Sequence, residues 1–281
     1  MSDVDVSGTG FEEATGEVKP RIVMDASGLE GVGKSHFSLT APDPIGYLDF
    51  DLGSEGVLGK FKHGLNGLPK KEIYISSYRI PITGKAAKKA DTEIKKKLTT
   101  EAAKQAAPIW DKVVNDYVKA LDGRFRTLIV DTGTEMHEML RLARLGKLTE
   151  VMPEDYGPVN AEFRDLVRLA YDSDCNVIFL HKMKQEWIKR KGSKRSDPTD
   201  NYIRQGFNGM GYLMQVNLEL QWDEDWEKTS DDWEDAFSIK VVKCRHNAKL
   251  RGEIIEGADG FNTFPFIAQM VMPETSVEDW E

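Results

Sequence analysis

Apolar positions in this chain fall into short runs and helical stripes that alternate along its length. Arg21-Ile22-Val23-Met24-Asp25 reads as a short buried strand. A glycine-rich turn follows, and His36-Phe37-Ser38-Leu39 continues as a helix that Pro42 and Pro44 end. Ile45 to Phe50 is the next predicted strand, bracketed by Asp49 and Asp51, and Glu72 to Tyr78 another. Residues 84–107 are rich in Lys and Ala without strong amphipathicity, which fits a solvated helix or a mobile insertion. Ile109, Val113, Tyr117 and Leu121 then repeat at helical spacing.

The alternation continues with a strand from Arg126 to Val130 that ends at Asp131, a helix around Glu135 to Leu145, and a second helix marked by Phe163, Leu166, Val167 and Ala170. Asn176 to Leu180 is a strand ending at His181. Residues 182–208 are polar and basic, with Gly192, Pro198 and Gly206, and are expected to form a long loop. Met214, Val216, Leu218, Leu220 and Trp222 alternate with polar residues as in a half-buried strand. After an acidic connection, Phe237 to Cys244 pairs with it as a hairpin. This order predicts an α/β fold: a mainly parallel central sheet with flanking helices and an antiparallel C-terminal hairpin at its edge. The expected division is an acidic arm over 1–19, one core over 20–272, and an acidic tail over 273–281.

The 281 residues are 40% hydrophobic and 30% charged, enough for one large core. The net charge of -9 excludes a surface that coats nucleic acid throughout, so any such contact must be a local basic patch. Cys175 and Cys244 lie in apolar runs and are expected to be buried, reduced thiols. The five histidines show no ligand spacing. The acidic N-terminus has no apolar core of a secretory signal and no stretch approaches a membrane span, so a reducing cytoplasm is the expected compartment.

Gly28-Leu29-Glu30-Gly31-Val32-Gly33-Lys34-Ser35 fits G-x-x-x-x-G-K-[ST], between an apolar strand and the helix that continues through His36. A polyphosphate needs converging N–H donors, and glycines let the backbone curl close around the anion. In this pattern Lys34 reaches the β- and γ-phosphates of ATP and Ser35 ligates Mg²⁺. A carboxylate for the metal belongs at the end of a neighbouring strand, and Asp131 supplies it by holding a metal-bound water. Hydrolysis needs a group to orient or deprotonate water. Asp51 is the first choice, with Glu55 and Asp49 as competitors. His181 is read in two ways, as a γ-phosphate sensor or as a satisfied structural histidine.

With these pieces placed, the chain resembles the RecA-like recombinase ATPases, and among them the short phage members that assist single-strand annealing. The resemblance covers roughly residues 20–256. It rests on Tyr47-Leu48-Asp49-Phe50-Asp51, on Leu128 to Asp131, on Asp155-Tyr156-Gly157 with the strand ending at His181, and on Lys240 to Arg245. The family usually has Glu where this chain has Asp51. The resemblance implies a RecA-like P-loop NTPase fold and a homo-oligomer assembled through the ATP site. It also implies that Lys243 and Arg245 act in trans on a neighbour's nucleotide. Read without it, they are two exposed cations on an edge strand.

Lys182, Lys184, Lys189, Arg190, Lys191, Lys194 and Arg195 surround Trp187 with only one acidic residue among them. Cations neutralise phosphates and an indole can stack on a base, so this run is the candidate single-stranded DNA contact. A solvated surface run is the alternative. The acidic tail could solubilise the terminus, compete with DNA, or dock on a single-strand-binding or annealing partner. Three rivals remain to an ATPase acting on single-stranded DNA in recombination, repair or annealing. They are a helicase loader or other switch with a protein client, a small-molecule kinase, and a non-enzymatic scaffold.

Overall fold

In the computed structural model, residues 19–81, 92–146, 152–189, 196–222, 237–257 and 262–281 are described. Six strands form a parallel sheet. They are β1 (Val23–Gly28), β2 (Ile45–Asp49), β3 (Ile73–Ser77), β4 (Thr127–Asp131), β5 (Asn176–Ile188) and β7 (Val216–Trp222). The central ones, β1, β2, β4 and the first half of β5, are buried on both faces. β6 (Asp197–Arg204) pairs with β5 outside this path, and β8 (Phe237–Cys244) and β9 (Ile254–Ile255) add antiparallel strands at one edge. The order is β3-β2-β4-β5-β1-β7-β8-β9, which places β5 between the strand of the glycine-rich turn and the strand ending at Asp131.

Successive strand residues point to opposite faces, and the core divides accordingly. Met24, Ala26, Ile129, Ile178 and Leu180 meet α1 (Lys34–Leu39), α2 (Glu55–His63) and, at the far end of the chain, α7 (Phe264–Val271). Val23, Leu128, Val130, Val177 and Phe179 meet α3 (Thr92–Ala120), α4 (Gly133–Leu145) and α5 (Tyr156–Arg168). A single turn, α6 (Met210–Leu213), leads into β7. Among the described residues no helix is long and apolar enough to cross a membrane. Cys175 and Cys244 are free and buried, as expected.

Four expectations change. Residues 92–107 do not form a separate insertion: they belong to the 29-residue α3, which runs on through Pro108. Among its described side chains the buried stripe is Ala102, Ala106, Trp110, Val113 and Tyr117, and the two alanines ahead of Trp110 give a weak amphipathic signal. Residues 84–91 lie outside the described residues.

The expected loop over 182–208 is a β-hairpin over most of its length, because β5 continues seven residues beyond His181 and pairs with β6. The 273–281 tail is pinned to the core through Trp280, although most of its residues are exposed. Trp280 is 1% exposed, stands edge-on to Phe264 and donates from Nε1 to Thr275 Oγ1 at 2.8 Å, while Arg126 donates to the Asp279 carbonyl. Helix α2 was not anticipated.

Candidate functional site

The turn after β1 is built for close approach. A Cβ on Gly28 would stand 2.6 Å from Val32 Cγ2 and 2.8 Å from the Leu220 carbonyl oxygen. Gly33 caps α1 with φ 79°, a conformation that costs a side-chain-bearing residue dearly, and the Phe237 ring lies behind it. A cavity of about 670 Å³ opens here. Of the expected phosphate-site residues, Gly28, Glu30, Gly31, Gly33, Lys34, Ser35 and His36 line it. Leu29 is exposed outside it and Val32 points into the core.

Lys34 Nζ donates to the carbonyls of Gly28 at 3.1 Å and Leu29 at 2.6 Å. Burial lowers its pKa, with Asp131 and Asp51 opposing that shift. His36 is buried edge-on to Phe61, and burial brings its pKa down to about 4, so its imidazole is neutral at pH 7.

Ser35 Oγ donates to Asp131 Oδ2 at 2.7 Å, and the Tyr47 hydroxyl donates to the same oxygen. The strand ends therefore converge although β5 separates β4 from β1. Burial raises the Asp131 pKa, with the two hydroxyl donors working against the rise. Burial likewise pushes the Tyr47 phenol far up, and the neighbouring Asp131 adds to it, which keeps it a donor. A hydroxyl beside a carboxylate is an all-oxygen donor pair, the chemistry Mg²⁺ prefers.

Asp51 lines the cavity and is half exposed. Asp49 does not line it: buried, it accepts from the Leu52 amide at 3.1 Å. Glu55 opens α2 and faces solvent. Six cavity-lining residues escaped the sequence: Gly56, Val57 and Lys60 on α2, Thr132, Met183 and Gln205. Lys60 was missed with its helix. Gln205 was missed because the turn of the hairpin brings it back to the sheet, where its amide donates to the Lys182 carbonyl at 2.8 Å.

Strand parity separates His181 from Lys182. Along β5, Phe179 faces α4 and Leu180 faces α1, so His181 falls on the α4 side and Lys182 on the α1 side. His181 is fully buried over Gly133 and does not line the cavity. Its Nδ1 lies 2.6 Å from Asp25 Oδ1, while Arg204 donates to Asp25 Oδ2 at 2.5 Å. Burial acts against the Asp25 charge, but His181 and Arg204 outweigh it and hold the carboxyl below its usual range. β1 and both strands of the hairpin are thereby tied at one buried carboxylate.

Lys182 lines the cavity. Its Nζ donates to Asp51 Oδ1 at 2.8 Å and to Glu135 Oε1 at 2.6 Å. Burial opposes its charge, yet these two carboxylates raise its pKa above the usual lysine value. It is therefore an occupant of the cavity wall rather than a free cation of the basic run. Lys184 and Lys189 do lie on or next to the exposed hairpin, with Trp187 59% exposed. Arg190, Lys191, Lys194 and Arg195 lie outside the described residues.

Lys243 Nζ donates to the carbonyls of Gly211 at 2.6 Å and Met214 at 2.8 Å, and Arg245 donates to that of Tyr212. Both cations thus neutralise the carbonyl end of α6 within their own chain and stand away from its cavity.

A family model described as AAA domain matches residues 22–213. Among solved structures, the chain is similar to one described as the crystal structure of the RadB recombinase. The identity is 12%, the TM-score 0.42, and the match covers 83% of this chain and 84% of that one. No curated protein matches the chain.

Proposed function

Because the chain belongs to the AAA domain family of P-loop ATPases, we propose that it is a RecA-like enzyme of phage-type recombination, repair or annealing. It binds and hydrolyses ATP at the Gly28–Ser35 turn and acts on single-stranded DNA. The observation that carries the nucleotide site is the Ser35–Asp131 hydrogen bond at the mouth of a glycine-lined cavity that also holds Lys34. Ser35 and Asp131 would hold Mg²⁺, which supplies charge neutralisation between the phosphates when bound. Lys34 and the turn's amides hold the phosphates, and Asp51 orients the attacking water.

The hairpin supports the DNA half of the proposal. It presents Trp187 and the cations Lys184 and Lys189 to solvent, and its first residues form the wall of the nucleotide cavity. DNA on the hairpin and nucleotide in the cavity would bias one another through that shared strand. Assembly through the ATP site, with Lys243 and Arg245 reaching a neighbour, belongs to the same proposal and requires both to exchange the α6 carbonyls for phosphate.

The deciding experiment is ATP turnover with and without single-stranded DNA. Stimulation by DNA supports the proposal. Turnover indifferent to DNA but raised by a helicase would turn the assignment to a loader, for which the hairpin exposes Trp187, Ile188, Tyr202 and Ile203 as apolar side chains.

A further inference from the structure

Lys182 carries a role that its place in a basic run conceals. Gly28, which opens the turn, and Lys182 are in-register partners on β1 and β5. The side chain of Lys182 projects on the α1 side, above Leu180, into the cavity that holds Lys34 and Ser35. Its backbone is fixed on both sides: the amide donates to Thr134 Oγ1 at 3.1 Å and the carbonyl accepts from Gln205. Only the ammonium is free to exchange partners, and it sits between two carboxylates from different elements, Asp51 after β2 and Glu135 on α4.

Asp51 in the cavity wall, with Glu135 joined to it through Lys182, would repel a triphosphate unless a cation offset their charge. Lys34, the lysine of the turn, lines the same cavity, near enough for the Lys182 charge to act on it. Meanwhile Lys243 and Arg245 are committed to backbone carbonyls of their own chain. Beyond the turn itself, Lys60 and Lys182 are the lysines that line this cavity, and Lys182 is the one whose strand pairs in register with Gly28.

We propose that Lys182 is a direct ligand of the terminal phosphate of ATP, and that its ammonium reads the difference between tri- and diphosphate by exchanging Asp51 and Glu135 for phosphate oxygen. The assignment rests on the nucleotide site proposed above. It adds that the residue recognising the third phosphate is the first residue of the hairpin beyond the buried His181, so triphosphate binding pulls directly on the hairpin's base.

The test is equilibrium binding of ADP and of a non-hydrolysable ATP analogue, each with Mg²⁺, to the full chain. Losing a charge-assisted bond to the third phosphate should weaken analogue binding by Lys182→Met about tenfold or more, with ADP binding within about twofold of wild type. Lys182→Met combined with Asp51→Asn and Glu135→Gln removes the orphaned carboxylates. The analogue defect should persist there, and Lys182→Arg should recover part of the affinity.

Equal affinities for both nucleotides in wild type and Lys182→Met would overturn the proposal. So would an equal loss of both, or full recovery of analogue binding in the triple variant, since then Lys182 only neutralises its neighbours. A wild-type protein that binds neither nucleotide would instead remove the nucleotide site as a whole.

Discussion

Asp25 joins His181 and Arg204 in one buried cluster, with the histidine Nδ1 2.6 Å from one carboxylate oxygen and the guanidinium 2.5 Å from the other. Asp25 stands on the strand that ends at the glycine-rich turn, whereas its partners stand on the two strands of the hairpin. Asp25→Asn is expected to cost about 3–5 kcal/mol, because it leaves a guanidinium buried against a neutral group. Urea unfolding measures the loss. The wild-type carboxyl has a folded pKa below its ordinary value of 3.8. Its contribution is therefore complete above pH 4 and disappears as pH falls through the folded value. A variant as stable as wild type at pH 7 would show that the cluster does not anchor the hairpin.

Lys34→Ala is expected to abolish ATP binding or turnover, since the ammonium that meets the phosphates is gone while the turn's glycines are untouched. Filter or calorimetric binding with the purified variant decides this. Turnover equal to wild type would remove the assignment of Gly28–Ser35.

Acid stability should show two histidines. Burial holds His36 and His137 to pKa values of about 4, against an unfolded value of 6.5. Between these pH values the unfolded chain binds more protons than the folded one, so stability rises with pH across the window. The full contribution is present above pH 6.5 and is lost as pH approaches 4, by about 2–3 kcal/mol for each residue. His137→Gln should flatten the slope of unfolding free energy by about one proton.

Trp280→Ala should destabilise the protein by about 3–5 kcal/mol, the range for emptying a fully buried aromatic position. Thermal unfolding measures it. A terminus that merely solubilised the chain would give no change.

Neutralising Lys184 and Lys189 together with Arg190, Lys191, Lys194 and Arg195 should weaken single-stranded DNA binding and flatten its dependence on salt. Leaving Lys182 intact keeps the nucleotide cavity out of the comparison. An unchanged salt slope places the DNA elsewhere.

Much of the frame was legible along the chain. The central parallel strands β1, β2 and β4 are short runs buried on both faces, and Gly28–Ser35 announces itself by glycine spacing. The stripe of α3 was half hidden because Ala102 and Ala106 carry it ahead of Trp110, and α2, whose only fully buried residue is Phe61, gave no stripe to find. The hairpin was read as a loop because β5 leaves the core after His181, where burial no longer imposes a pattern on the sequence.

The sequence by itself determined the alternation of the core strands with their flanking helices up to His181 and the identity of the phosphate turn, since periodicity and glycine spacing are properties of the chain alone. Which strand end meets which was decided only in the folded sheet. Inserting β5 between β4 and β1 brings Ser35 to Asp131 across 96 positions of sequence. A single step of strand parity sends His181 into a buried ion cluster and Lys182 into the cavity, a distinction that depends on which layer covers which face.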